Sequence, residues 1–313
     1  MKGYHIYIPN YSVGADCYKE IPWVTRKYGK KAVVIGGKTA MDKVKNALLD
    51  GIDGSELEIT DFVWYGGEAS YENVEMLMET EAVKNADMIF AVGGGRVMDT
   101  CKVVRERLDK PMFTFPTLGS NCAATTSIAV IYHPDGSVNN YFYGKIPAEH
   151  IFINTKIIAE SPEHMFWAGI GDAISKELEA QLAIRGHKAD HTPLMGNQLS
   201  LICIDPLIEY GKKAYEDCKN NTESFELEQV VLDIIITTGM VSNFMTTEND
   251  YYYNSSLAHG FYNGTSVIPN CIHNHQHGEI VSFGSLVLLT YDKNYDECDR
   301  IMKFHKEMGL PLT

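Results

Sequence analysis

The chain has 313 residues, 45% hydrophobic and 22% charged, a globular mixture that excludes disorder, a collagen-like repeat or a small disulfide scaffold. Its length suggests about two domains, with a core large enough to need no disulfide or metal staple. Its net charge of −14 disfavours nucleic acid or an anionic membrane surface as the main partner. Seven cysteines, without a C-x-x-C pair, read as reduced intracellular thiols. MKGYHIYIPNYSVG is no signal peptide and no 18-residue apolar run occurs, so a cytoplasmic protein is expected.

The first half alternates strand-like and helix-like segments. KAVVIGG (31–37) predicts a buried strand ending in glycines. The next segment, TAMDKVKNALLDG, puts Met41, Val44, Ala47 and Leu48 on one helical face, with Gly51 as the stop. ITDFVWYGG (59–67) is the second strand. SYENVEMLMETEAV (70–83) is a helix with a serine start and apolar Val74, Leu77, Met78 and Val83. ADMIFAVGGG (86–95) is the third strand, VMDTCKVVRERL a helix and PMFTFPT (111–117) the fourth strand. SIAVIYHPDGSVNNYFYG reads as two strands around a Pro134-Asp135-Gly136 hairpin turn, and IFIN (151–154) as one more strand. Short buried strands alternating with amphipathic helices indicate a parallel sheet covered on both faces.

After Ser161-Pro162 the segments become long and helical, as in GIGDAISKELEAQLAI and FELEQVVLDIIITTGMVSNFM. The expected organisation is an α/β domain over 1–160 and an all-helical domain over 161–313. The chain stops at MGLPLT, a weak end for a helical domain, which leaves room for a further helix or two.

Two constellations carry chemistry. In the first, a strand runs into Gly93-Gly94-Gly95 and a helix starts at once. Glycines let the backbone approach a ligand closely, and the free N–H groups of a helix start suit a pyrophosphate. The spacing is neither G-x-G-x-x-G nor a Walker A loop. In the second, AGIGDAISKELEA (168–180) places Asp172 in the first turn of a helix, while residues 256–284 hold His259, His273, His275 and His277. One aspartate with two histidines and an open position suits catalytic zinc or non-haem Fe(II), and ligand types alone do not separate them.

GGGRVMDTCK resembles the G-G-G-x-x-x-D-x-x-K element of the iron-containing alcohol dehydrogenase and glycerol dehydrogenase superfamily, with Asp99 and Lys102 at its marked positions. PTLGSNCAATTSIAVIY (116–132) resembles the element that lines the nicotinamide end of the cofactor there. The resemblance implies Thr117, Leu118, Thr126, Ile128 and Tyr132 as cofactor-binding residues, beside Gly93, Gly94, Gly95 and Asp99. G-x-G-D-A, A-H-x-x-x-N-G and H-G-E resemble its three metal-bearing motifs, in the same order, and imply Asp172, His259 and His277 as ligands. His273 and His275 match no ligand. Lys176 stands where four-ligand iron-type members carry a histidine, which favours zinc, with iron, nickel or manganese also able to occupy such a set. The resemblance spans roughly residues 30 to 285 and implies a Rossmann-like domain followed by a helical metal-binding domain, the dehydroquinate synthase-like fold.

Two departures bear on specificity. Cys122 stands where glycerol-oxidising members carry a substrate-contacting aspartate. Its lack of charge would repel an anionic substrate less. With N-C-A-A at 121–124 this resembles the hydroxycarboxylate dehydrogenase branch, so a 2-oxo/2-hydroxy acid is the expected substrate. The alternatives are a glycerol, polyol or alcohol dehydrogenase, in which Cys122 is only a small packed residue, a dehydroquinate synthase-like lyase, and a non-catalytic nucleotide-binding protein. The second departure is Gly37-Lys38, where NAD-preferring relatives often carry an aspartate. NADP is therefore admissible beside NAD. The expected partners are a small-molecule substrate and further copies of the chain, with neither nucleic acid nor membrane.

Overall fold

The computed structural model describes residues 7–134, 136–248, 250–265, 267, 268, 271 and 274–313. The chain divides into two compact units. One runs over Tyr7–Leu118 and Cys122–Ile158; the other holds Gly119–Asn121 and Ala159–Thr313. No helix of the described residues is long and apolar enough to cross a membrane.

The first unit is built on a six-stranded, all-parallel sheet. Its strands are β1 (Tyr11–Val13), β2 (Lys31–Gly36), β3 (Glu58–Trp64), β4 (Met88–Gly93) and β5 (Met112–Pro116), then an antiparallel hairpin of β6 (Ile128–Tyr132) and β7 (Val138–Tyr143) outside the sheet, and finally β8 (His150–Ile153). The order across the sheet is β1-β8-β5-β4-β2-β3. β4 and β5 are buried along their whole length, as apolar runs in a doubly covered sheet must be. On one face Phe90, Phe113, Phe115 and Phe152 pack together, and the Phe115 and Phe152 rings stack 4.9 Å apart. Each such ring withdrawn from water stabilises the fold by about 1.5–3 kcal/mol.

Several local expectations need correction. β1, a three-residue edge strand, has too short a pattern to read from sequence. The helix after β2 runs Lys38–Ile52, so Gly51 lies inside it rather than stopping it. A Cβ at Gly51 would lie 2.7 Å from the Tyr18 carbonyl oxygen, so that glycine serves packing. Residues 70–83 form two helices, Tyr71–Glu79 and Glu81–Asn85, broken at the extended Thr80. The serine start is real, because Ser70 Oγ accepts from Asn73 N. Of the hairpin turn, Asp135 lies outside the described residues. Its neighbours close the turn through His133 N to Ser137 O and Gly136 N to His133 O.

A buried ion pair ties the hairpin to the helix Gly95–Leu108. Lys102 Nζ donates to Asp99 Oδ1 (2.8 Å), Thr126 Oγ1 (2.8 Å) and the Ile128 carbonyl (2.7 Å). Asp99 Oδ2 accepts from Val130 N. Every proton of the ammonium thus has an acceptor, which makes its burial tolerable.

The second unit is helical. Its long helix Glu163–Ile184 packs against the helix His277–Tyr291, which also packs against Leu257–Thr265. Residues 225–245 are not one helix: a five-residue π-helical segment, Asp233–Thr237, separates Phe225–Leu232 from Thr238–Met245. Glycines let these backbones touch. A Cβ on Gly278 would lie 1.9 Å from the Ala168 carbonyl oxygen, and one on Gly284 would lie 2.6 Å from that of Ala258. Gly119–Asn121 join this unit for the same reason, since a Cβ on Gly169 would meet the Gly119 carbonyl oxygen at 2.1 Å.

Lys102→Met should destabilise the protein by about 3–5 kcal/mol, because Asp99 is left buried without its counter-charge. The double variant Asp99→Asn/Lys102→Met should lose less, and chemical denaturation of the three proteins measures the difference. Gly278→Ala should cost about 3 kcal/mol in the same assay, since neither helix can yield the missing space without shifting.

Candidate metal and nucleotide sites

Three helices each deliver one chelating side chain to a single point. Asp172 comes from the Glu163–Ile184 helix, His259 from Leu257–Thr265 and His277 from the first residue of His277–Tyr291. The sequence predicts Asp172 in a first helical turn, where a helix dipole would account for it. It is in fact the tenth residue of its helix, because the helix begins at Glu163 and continues through the G-x-G segment. The dipole explanation therefore does not apply.

One ligand atom from each of Asp172, His259 and His277 lies within 4.8 Å of the others. His277 Nε2 is 3.2 Å and His259 Nε2 3.6 Å from Asp172 Oδ1. Asp172 Oδ1 is buried and accepts no well-aligned hydrogen bond. A buried carboxylate oxygen without a donor is costly unless a cation sits beside it. An aspartate oxygen and two imidazole nitrogens form a donor set suited to a divalent transition metal, so the residues fit the metal that the resemblance implies. Asp172 is nearly covered, whereas 42% of the His277 side chain is exposed, so the cluster opens on the histidine side. The Tyr262 ring packs edge-on against His277, with centroids 4.2 Å apart. His275 points elsewhere, to Glu279, and His273 lies outside the described residues.

Two further charged side chains meet this cluster, and both escaped the sequence reading as parts of the site. Glu179 is fully buried; its Oε1 accepts from Ser256 N and His259 N, and its Oε2 lies 2.5 Å from His259 Nδ1. Lys176, the departure from the four-ligand pattern, donates from Nζ to the Asn254 carbonyl (2.9 Å) and Asn254 Oδ1 (2.7 Å). Its hydrogen bonds hold a loop, while its charge acts on Asp172 and Glu179. Asp172, Lys176 and Glu179 stand at i, i+4 and i+7 on one helix face, a spacing that would have pointed to them.

The charges support one another. Burial alone would raise the Asp172 carboxyl, but His277, His259 and Lys176 outweigh it and hold it below the usual carboxylate range. Burial would likewise raise Glu179, but His259 and Lys176 hold it low. Burial would lower His259, but Glu179 and Asp172 draw it above the usual imidazole value.

The glycine turn lies at the C-terminal end of β4. Gly93 has φ +148°, a conformation that L side chains rarely adopt, and its carbonyl accepts from Thr117 N at 3.2 Å. Gly94 precedes the helix starting at Gly95 and offers it no side-chain cap, so the first-turn N–H groups keep their capacity for an anion. The Leu118 side chain lies 3.1 Å from where a Gly94 Cβ would stand. β2 ends beside β4, so Gly37 and Lys38, which begin the helix Lys38–Ile52, stand next to this turn. Lys38 Nζ lies 4.7 Å above the Trp64 ring. Adjacent strand ends of a parallel sheet are where such folds bind ligands.

The other residues implied for the cofactor divide. Asp99 is occupied by Lys102 and Val130, and Thr126 Oγ1 and the Ile128 carbonyl accept from Lys102. In the structure their polar groups join the helix Gly95–Leu108 to the hairpin. Tyr132 is half-buried, and its N–H bonds to the Ala69 carbonyl. Cys122 is half-buried in the loop after β5, where its carbonyl accepts from Thr125 N and Thr126 N. None of the seven cysteines, all of them among the described residues, forms a disulfide.

Comparison with known proteins places these features. Residues 9–152 match the family model of the iron-containing alcohol dehydrogenases. The chain is 28% identical over 298 residues to glycerol dehydrogenase 1 of Schizosaccharomyces pombe, covering 93% of this chain but 63% of that protein. A crystal structure of glycerol dehydrogenase from the same yeast superposes with a TM-score of 0.88 at 26% identity, over all of this chain and 79% of that one. Glycerol dehydrogenase of Thermotoga maritima is 30% identical over 254 residues, covering 80% of this chain and 67% of that protein. Hydroxycarboxylate dehydrogenase A of Escherichia coli is 27% identical over 287 residues, covering 91% and 75%. With the glycine turn of the first unit and the ligand cluster of the second, these likenesses make the chain a member of the iron-containing alcohol dehydrogenase superfamily.

Proposed function

We propose that this protein is a metal-dependent, nicotinamide-linked oxidoreductase that interconverts a small polyol with its carbonyl counterpart. The observation that carries the reading is the convergence of Asp172, His259 and His277, with a buried carboxylate oxygen that accepts no well-aligned hydrogen bond at its centre. The polyol is favoured over the expected hydroxy acid because two of the three relatives described are glycerol dehydrogenases. The hydroxy-acid reading stands second, supported by the uncharged Cys122 and by the likeness to hydroxycarboxylate dehydrogenase A.

Asp172, His259 and His277 would hold one divalent metal, with zinc favoured by the three-ligand set; when bound, it supplies Lewis-acid polarisation of the substrate oxygen. The chain's own groups do the rest. The imidazoles donate neutral nitrogen lone pairs, and Asp172 supplies the negative charge. The N–H groups at Gly94 and Gly95 would hold the cofactor's pyrophosphate, helped by the helix dipole. Gly37 places no carboxylate against a ribose 2′-phosphate, and Lys38 offers an ammonium, so NADP(H) is accepted beside NAD(H).

Cofactor oxidation with NADH and NADPH should show chelator-sensitive reduction of dihydroxyacetone. Turnover of 2-oxo acids alone would install the hydroxy-acid reading instead. No turnover with either class by metal-loaded protein would sink the dehydrogenase reading in favour of a lyase or a nucleotide-binding protein. Asp172→Ala should abolish turnover while nucleotide binding persists. In Lys38→Glu, the Kd for NADPH should rise about tenfold, roughly 1.4 kcal/mol, while that for NADH stays near wild type.

A further inference from the structure

We propose that Glu179 is a positioning residue that selects the tautomer of His259, so that Nδ1 carries the proton and Nε2 faces Asp172 with its lone pair free. This rests on the reading of Asp172, His259 and His277 as metal ligands. The argument is one of hydrogen-bond inventory. Three donors converge on the Glu179 carboxylate, namely the backbone N–H groups of Ser256 (2.7 Å) and His259 (2.9 Å) on Oε1, and the imidazole Nδ1 of His259 (2.5 Å) on Oε2. The carboxylate is fully buried, so no water competes for these positions. An ionised carboxylate only accepts, and it therefore forces Nδ1 to be the protonated nitrogen. Nε2 is left unprotonated, 3.6 Å from Asp172 Oδ1, with its lone pair on the side of the ligand cluster.

The same contacts set the position of the ring as well as its tautomer. Glu179 grips the backbone at both Ser256 and His259, and Lys176 anchors Asn254 just upstream. The segment carrying His259 is thus fastened to the helix that carries Asp172. Supporting carboxylates of this kind change metal affinity by 10–100-fold when altered.

Glu179→Gln isolates the effect, because glutamine has nearly the same shape but one acceptor oxygen and an NH2 group. The two peptide N–H groups cannot become acceptors, whereas imidazole can by moving its proton. The amide oxygen will therefore face the backbone and the NH2 will face His259. Nδ1 then accepts, Nε2 is protonated, and the lone pair aimed at the ligand cluster is lost.

The experiment titrates zinc into metal-free wild-type and Glu179→Gln protein by calorimetry and records 15N spectra of their histidine rings. Wild type should bind one zinc, and the loaded protein should keep a slowly exchanging Nδ1–H on His259. Glu179→Gln should bind 10–100-fold more weakly with an unchanged circular dichroism spectrum, and its metal-free ring at alkaline pH should carry the proton on Nε2. Equal zinc affinity in the two proteins would overturn the proposal. So would a zinc-loaded wild type in which His259 carries no Nδ1 proton, a readout that stands even if the variant fails to fold. Wild type that binds no zinc would overturn the ligand reading itself.

Discussion

Close backbone contact between helices is the constraint on which the ligand cluster depends. His277 and Asp172 stand on different helices, and their side chains are short. They meet because Gly278, next to His277, lies against the Ala168 carbonyl, one helical turn before Asp172. Gly284 does the same for Ala258, the neighbour of His259. A methyl group at either glycine would occupy space already filled by main chain, and packed interiors have no slack to absorb it. The glycine of H-G-E is therefore part of the site's architecture, although it touches nothing chemical.

Buried charge is handled alike in both units. In the first, Lys102 is surrounded by Asp99, Thr126 and the Ile128 carbonyl, and this knot joins the hairpin to the helix behind the glycine turn. In the second, Lys176 and Glu179 bind the segment 254–259 to the long helix. Each charge is met by geometrically suited partners, without which burial would be prohibitive. Asp172 Oδ1 is an exception within the ligand cluster: two imidazole nitrogens stand 3.2 and 3.6 Å from it without a well-aligned hydrogen bond, and it is this convergence that suits a cation.

The division of roles also explains why motif residues are not interchangeable with contact residues. Asp99 and Lys102 mark the superfamily as clearly as the glycines do, yet their polar atoms are consumed internally. The glycine turn, by contrast, offers main-chain N–H groups with no side-chain cap. What a ligand would meet there is backbone, and what the charged pair provides is the rigidity of the helix that presents it.

Much of this was legible in the linear chain. Apolar runs such as MIFAVG are buried throughout because a parallel sheet is covered on both faces, so composition alone marks them. Gly93-Gly94-Gly95 between a strand and a helix, and the pattern of Asp172, His259 and His277, were readable from spacing and resemblance. Other features needed the tertiary structure. Strand β1 gains its identity from pairing with β8, residues distant in sequence. The break at Thr80 and the π-helical segment at Asp233–Thr237 are choices among backbone states that periodicity does not separate. The place of Asp172 within its helix was decided by Gly169 and Gly171, which look like breakers in sequence but fit against neighbouring backbone. Glu179 is the sharpest case. Its spacing from Asp172 puts it on the same helix face, but that spacing does not name its partners, because Ser256 and His259 reach it only after the chain has folded back across 77 to 80 positions. Sequence sets which chemical groups are available and on which faces of an element they stand. Proximity across the chain, and with it the loss of water that gives a buried carboxylate its force, belongs to the fold.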